Sequence, residues 1–281
     1  MHSPAVRTWV ITLLMMGAFS TSVAANDQKV LVRDLIKMSG LQHEIHQLPV
    51  QILAGFDRQK QKLTVEQHAA VRQAFASSFE ASWLEQQITQ QLESSLSQEV
   101  IAASLKWFRS DLGRKVTALE IASSNPNTQK ELEAFAKQME KSPPAAERLQ
   151  LIRRADQASN GTEFILDVSE TLVLSMASAY EATLPAAQRQ GLESLRSHLA
   201  HQREQSRQQV QRLVWVSMLR SYRNLPEKEL RQYVEFLESE EGLRLSTQTG
   251  IAFKGALQAG MMRAGRAMID ILKPPAGRKS I

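Results

Sequence analysis

From about residue 30 onward, apolar side chains return every three or four positions almost without interruption, and this spacing limits the fold more than any other feature of the chain. A period near 3.6 gathers apolar residues on one side of an α-helix, whereas a half-buried strand needs strict alternation. In the first segment Leu31, Leu35, Met38, Leu41, Ile45 and Leu48 make one stripe, which Pro49 ends or bends. A short second helix then turns Val50, Leu53 and Phe56 inward. Leu, Ala, Gln, Glu and Arg are abundant while glycine, proline and β-branched runs are sparse, which favours helix throughout. The expected class is all-α.

Cap and breaker residues divide this helical chain. Thr64-Val-Glu-Gln67 has the spacing of a capping box and predicts a long helix through Val71, Phe75 and Phe79 to about Leu92. Ser97 can cap the next, whose stripe is Ile101, Leu105, Phe108, Leu112, Val116 and Leu119. Asn125-Pro126 opens a helix with Leu132, Phe135 and Met139 on one face. Lys141-Ser-Pro-Pro-Ala145 cannot continue one and is the best linker. Asn160-Gly161 stops a helix carrying Leu149 and Ile152, and another spans about Thr162 to Ala182. From Pro185 no strong breaker follows until Asn224-Leu-Pro226, so one helix of nearly forty residues, or two with a slight kink, is expected there. A last pair covers roughly Glu227 to Ser246 and Gly250 to Leu272.

The N-terminus reads as an address. Arg7 precedes an apolar run from Trp9 to Phe19, then Ser22-Val-Ala-Ala25, the order of a signal peptide with cleavage after about Ala24 or Ala25. The run is shorter than the roughly 20 residues of a bilayer span, so no transmembrane helix is expected in the mature chain. With no cysteine there is neither a lipid-anchor residue nor a disulfide, and a periplasmic or secreted protein must be held by its apolar core. The expected organisation is a signal peptide at 1–25, helical repeat units at 26–140 and 149–272, a Pro-containing linker at 141–148, and a loose basic tail at 273–281.

The word "repeat" rests on self-similarity. Leu96-Ser-Gln-Glu99 leads to Leu105-Lys-Trp-Phe-Arg-Ser-Asp-Leu-Gly113. Without a gap, Leu225-Pro-Glu-Lys228 leads to Val234-Glu-Phe-Leu-Glu-Ser-Glu-Glu-Gly242. Such a pattern suits a helix interrupted and resumed. Trp107-Phe108 and Phe236-Leu237 dock in the core, Ser110 and Ser239 cap the restarted turn, and Gly113 and Gly242 clear room for nearby backbone. On these residues the chain resembles a family of secreted bacterial proteins, the domain-of-unknown-function family numbered twenty fifty-nine. Its signature is an aromatic pair, a serine, two variable residues and a glycine near the end of a short all-helical domain. Phe236 through Gly242 is the better match, and Trp107 through Gly113 has Asp111 where proline is common. The resemblance implies two copies, over residues 30 to 125 and 149 to 260, and brings no reaction with it.

Motifs for chemistry are few. His43 with His46 and His198 with His201 are pairs at i,i+3 that could jointly ligate zinc or copper, but two solvated pairs on polar faces are the favoured reading, and no metal is expected. Glu238, Glu240 and Glu241 could act as acid and base only if burial split their pKa values. There is no Gly-x-Ser-x-Gly elbow, no phosphate-cradling loop and no cofactor motif. The arginines between 201 and 223, among them Arg203, Arg207 and Arg212, suit a solvated face or a weak contact with an anionic membrane surface; nucleic acid is a poor partner for an exported protein. In the last helix Ala252, Ala256, Gly260 and Ala264 draw a flat stripe beside Met261 and Met268, where another helix can come close, from within the chain or from another protein. The leading expectation is a non-enzymatic periplasmic protein that binds an envelope partner or itself. The alternatives are an envelope hydrolase or metal-dependent enzyme using the histidine pairs or acids, and a carrier of an apolar ligand.

Overall fold

The computed structural model describes residues 27–58, 63–124, 129–184 and 186–272. The expected signal peptide, the tail from 273 and the Asn125-Pro126 cap lie outside the described residues. Among the described residues there are helices and no strand. A first series comprises α1 at 27–38, α2 Leu41–Arg58, α3 Val65–Ser78, α4 Ala81–Ser95, α5 Gln98–Arg109 and α6 Asp111–Ser123. Next comes α7, Gln129–Lys141. A second series comprises α8 Ala146–Ser159, α9 Gly161–Thr183, a 3₁₀ turn Ala186–Gln188, α10 Glu193–Ser221, α11 Glu227–Glu238 and α12 Glu240–Leu272. No helix among the described residues is long and apolar enough to cross a membrane.

The capping box forms as expected: the Gln67 amide donates to Thr64 Oγ1 at 3.2 Å and the Thr64 amide to Gln67 Oε1 at 3.1 Å. Ser97 caps α5 through the Val100 amide. Elsewhere the boundaries differ. Pro49 lies inside α2, and the break comes earlier, at Ser39-Gly40, where Gly40 adopts φ +81°. The long helix from Thr64 divides at Phe79-Glu80, where Phe79 turns into the core. The stretch after Pro185 begins as a 3₁₀ turn and becomes α10 only beyond Gly191, at φ +76°. Gly250 starts nothing, because α12 is continuous from Glu240.

The interrupted-helix motif is built identically in both halves. Ser110 and Ser239 stand in extended backbone (φ −68°, ψ 160° and φ −64°, ψ 158°), and their hydroxyls accept the Gly113 and Gly242 amides at 3.0 and 3.1 Å. Each serine thus closes one helix and caps the next. The turn is so tight that a Cβ on Gly113 would sit 2.1 Å from the Trp107 carbonyl oxygen, and one on Gly242 2.0 Å from that of Phe236. Glycine is required because the obstacle is backbone.

The kink sends the last helix of each series onto the other series. One core joins Val32, Leu35, Ile45, Val71, Phe75, Phe79, Leu84, Ile88, Leu92 and Ile101 of the first series to Ala252, Phe253, Leu257, Met261 and Ala264 of α12. A second core joins Leu151, Ile152, Leu219, Leu230, Tyr233 and Val234 of the second series to Val116 of α6. The Pro-containing segment separates two series in sequence but not two cores, since each core holds a helix from the other side of it.

Equivalent contacts recur in both series. Gln28 of α1 donates to the Glu93 and Leu96 carbonyls at 2.8 and 3.1 Å, capping the end of α4. Arg148 of α8 does the same to the Tyr222 and Leu225 carbonyls at the end of α10. Asp34 of α1 pairs with Arg109 of α5 at 3.0 Å, and Arg154 of α8 pairs with Glu238 of α11 at 2.6 Å, the same bridge with its signs exchanged. In this register α3 and α4 together correspond to the single helix α10.

Two outcomes follow from this packing. Gly242→Ala should lower unfolding free energy in urea by about 2 kcal/mol, despite the ~1 kcal/mol that the exchange gains in an unobstructed helix, because backbone must move. Segments 26–128 and 129–272 should each be unfolded or aggregated when expressed alone. Coexpressed, they should elute as a helical one-to-one complex in size-exclusion chromatography, since each core needs both.

Candidate functional site: a carboxylate seam and an open helix face

Where the two kinks meet, the aromatic residues of the repeated motif lie on one another. Trp107 stacks on Phe236 with ring centroids 4.6 Å apart and 7° between planes, and on Tyr233 at 6.2 Å; Phe108 meets Phe236 edge-on at 5.8 Å. Such pairs contribute ~0.5–1.5 kcal/mol each beyond area burial. Trp107 and Phe236 hold the same place in the two motifs, so the seam between the series runs between equivalent residues.

Beside this stack lies a carboxylate with no ion-pair partner among the described residues. Glu120 Oε1 of α6 accepts the hydroxyls of Tyr222 at 2.6 Å and Tyr233 at 2.7 Å, which joins α6 to the second series. Glu44 of α2 stands nearby and accepts the Ser124 hydroxyl. Burial pushes the Glu120 carboxyl above the ordinary carboxylate range, the two tyrosine hydrogen bonds oppose that shift, and the Glu44 charge adds to it. Both phenols are pushed well above the usual tyrosine range by burial and by Glu120. They therefore remain donors at physiological pH. Chemically the group is a structural clasp, with hydrogen bonds that tie two cores.

A second buried carboxylate fixes the α8–α9 corner. Asp156 accepts the Thr162 amide and hydroxyl, each at 2.7 Å, and the Trp215 indole N–H at 2.9 Å, with Asn160 between the helices at φ 59°. This corner is the counterpart of Ser39-Gly40, but the helices leaving the two corners are buried differently. Counted from the corner residue, Ile45, Leu53 and Phe56 of α2 face the first core or pack against it. Their counterparts Ile165, Val173 and Met176 of α9 are exposed. Phe56 is covered by Phe75 and His68 of α3, at 5.3 and 4.9 Å between ring centroids. In the second series α10 is one continuous helix, with no separate short helix in the place that α3 takes in the first. Ile165, Ser169, Val173, Met176 and Tyr180 leave an uncharged, largely apolar stripe of about four turns on the surface.

The residues singled out in the sequence are dispersed. Ala252, Ala256, Gly260, Met261 and Ala264 are buried within the chain, and Met268 packs against the same core. A Cβ on Gly260 would lie 2.3 Å from Phe79 Cε1, so the small-residue stripe is occupied by the chain's own helices. Arg203 bonds Glu163, Asp167 and Glu170 of α9, and Arg207 bonds Glu163 and Glu204, while Arg212 is exposed. His46 bonds Glu85 at 2.8 Å and His201 bonds Gln205 at 2.8 Å. The pairs His43–His46 and His198–His201 do not converge: among the described residues no three His, Asp or Glu side chains are placed to hold a metal ion. Glu238 is engaged by Arg154, whose hydrogen bond holds its carboxyl below the usual range, and Glu240 pairs with Arg244.

Glu120, Tyr222, Tyr233 and the α9 stripe escaped the sequence reading, though signals existed. All three tyrosines of the chain lie in the second series, and Phe164-Ile-Leu-Asp-Val-Ser-Glu-Thr-Leu-Val-Leu-Ser-Met176 is apolar on more than one face.

The comparison with known families falls on the first motif. Residues 83–143 match the family described as "Uncharacterized protein conserved in bacteria (DUF2059)". The match contains Trp107 through Gly113 and stops before the second series. No curated protein and no solved structure matches the chain.

The seam sets a pH dependence. A carboxyl raised in the folded state contributes stability that is fully present below its unfolded pKa and is lost as pH rises through the folded value. Glu120→Gln keeps an acceptor for the tyrosines and cannot ionise. The unfolding free energy of the parent, relative to this variant, should therefore fall from pH 4.5 toward pH 8 in urea titrations. A difference that is flat or rises with pH would refute the assignment.

Proposed function

We propose that this chain is a non-enzymatic protein of the bacterial envelope, exported by its N-terminal signal, whose work is to bind a helix of a partner protein on the outer face of α9. On this reading the second series is a diverged second copy of the matched family, fused to the first and locked to it. One observation carries the proposal: Ile165, Val173 and Met176 are exposed at positions whose counterparts in α2 face the first core or pack against it, Phe56 among them beneath α3. An apolar helix face left in water is a site for another apolar surface. The charged side chains that flank it on α9, Glu163, Asp167 and Glu170, are held by Arg203, Arg207 and Lys254, so they are not waiting for a ligand. A metal site lacks converging His, Asp or Glu side chains among the described residues to support it.

The test is site-specific photocrosslinking in intact cells, with a photoreactive residue at Val173 or Met176 and, as control, at exposed Gln208 of α10. One discrete adduct from both α9 positions, absent at Gln208 and abolished by Ile165→Asp, is expected, in the periplasmic fraction. Equal adducts at all three positions, or none, would remove α9 as the binding face. Cytoplasmic recovery would remove the address.

A further inference from the structure

Independent of α9, an open trough of about 510 Å³ runs between α3 and the end of α12. Its floor is made of Ala70, Ala74, Ala267 and Ile271, and its polar edge of Gln73, Ser77, Ser78, Arg263 and Arg266. The two helices run antiparallel there. Arg263 reaches the Ser77 carbonyl at 3.3 Å and Gly260 lies on Phe79, so the far end of α12 meets the start of α3. On α3 the floor is two small side chains at i and i+4, Ala70 and Ala74, and on α12 it is Ala267 followed four residues on by the larger Ile271.

The charge at the edge is one-sided. Arg263 is already positioned, with its guanidinium 4.3 Å from the Trp83 ring centroid and one N–H on the Ser77 carbonyl. Arg266 is exposed and has no ion-pair partner among the described residues, and no carboxylate lines the trough. Apolar length beside one anchored guanidinium and one with no ion-pair partner among the described residues matches a single apolar tail with a single planar anion at its end. A guanidinium recognises a carboxylate by two parallel hydrogen bonds, which favours a carboxylate head.

The geometry points to a surface site for a long-chain fatty acid between α3 and α12, with the acyl chain along Ala70, Ala74 and Ala267 and the carboxylate at Arg266 and Arg263. Trp83, beneath Arg263, reports occupancy: a carboxylate that draws the guanidinium off the ring changes its fluorescence.

The experiment uses the mature full-length chain, with dodecanoate, dodecanol and acetate as probes below any micelle-forming concentration. Binding is followed by calorimetry and by tryptophan fluorescence, with Trp83→Phe to identify the reporting ring. Saturable binding of dodecanoate is expected. Arg266→Gln, which breaks no ion pair among the described residues, should weaken it about tenfold or more, and Ala70→Leu, which fills the trough, should abolish it. Both variants should keep the parent's thermal unfolding midpoint. Dodecanol bound as tightly as dodecanoate would overturn the carboxylate assignment. Unchanged affinity in both variants, or no saturable binding of dodecanoate, would overturn the site. None of these outcomes bears on crosslinking at α9.

Discussion

The shape of the molecule depends on a bend that two serines impose. Ser110 and Ser239 each end a helix in extended backbone and, through a hydroxyl on the amide three residues later, start another at an angle. Without that bend α5 and α6 would be one rod, as would α11 and α12. Each series would then keep its last helix pointing away from any core. With it, α12 enters the first core and α6 the second, and the stacked Trp107 and Phe236 sit where the two bends face each other. The cost is local crowding, since each bend presses a carbonyl against the glycine that follows.

Because cores are shared, stability and cooperativity are shared as well. A cavity in the first core loosens α12, which is covalently continuous with the bend that places α11 in the second. Glu120 adds a polar tie across the same seam, and it is an expensive one. Its hydrogen bonds to two tyrosines offset the loss of hydration without removing it. Retaining such a group in an otherwise apolar seam fixes which atoms of α6 meet which atoms of α10 and α11.

The helical class, the capping box at Thr64, the Ser97 cap and the bends at Ser110 and Ser239 were legible because each depends on residues close in sequence. The misplaced boundaries share a different cause. Phe79-Glu80 carries no breaker; the chain turns there because Phe79 fits the core against Gly260, a partner far along the chain. Pro49 is a breaker by composition yet sits inside a helix whose packing outweighs one lost hydrogen bond. The small-residue stripe of α12 did mark a close approach, but which surface approaches was set by the exchange of last helices. No local pattern encodes that exchange. Glu120 was illegible for the same reason, since its partners lie over a hundred residues away.

Two series with equivalent helices also face a problem of self-recognition. If α1 could pair with α11 as well as with α5, or α8 with α5 as well as with α11, the chain could fold in the wrong register or trade helices with a second copy. The bridges Asp34–Arg109 and Arg154–Glu238 discriminate between these outcomes by sign. In the observed pairing each acid meets a base. In the crossed pairing Asp34 would face Glu238 and Arg154 would face Arg109. An exposed pair of this kind contributes only ~0.2–1 kcal/mol when correctly formed. Its larger effect lies in the alternative, where two like-charge contacts arise together and penalise the wrong partner. Reversing the polarity of one bridge relative to the other is therefore a physical reason for two similar units in one chain to assemble in a single way, even though their apolar faces are alike.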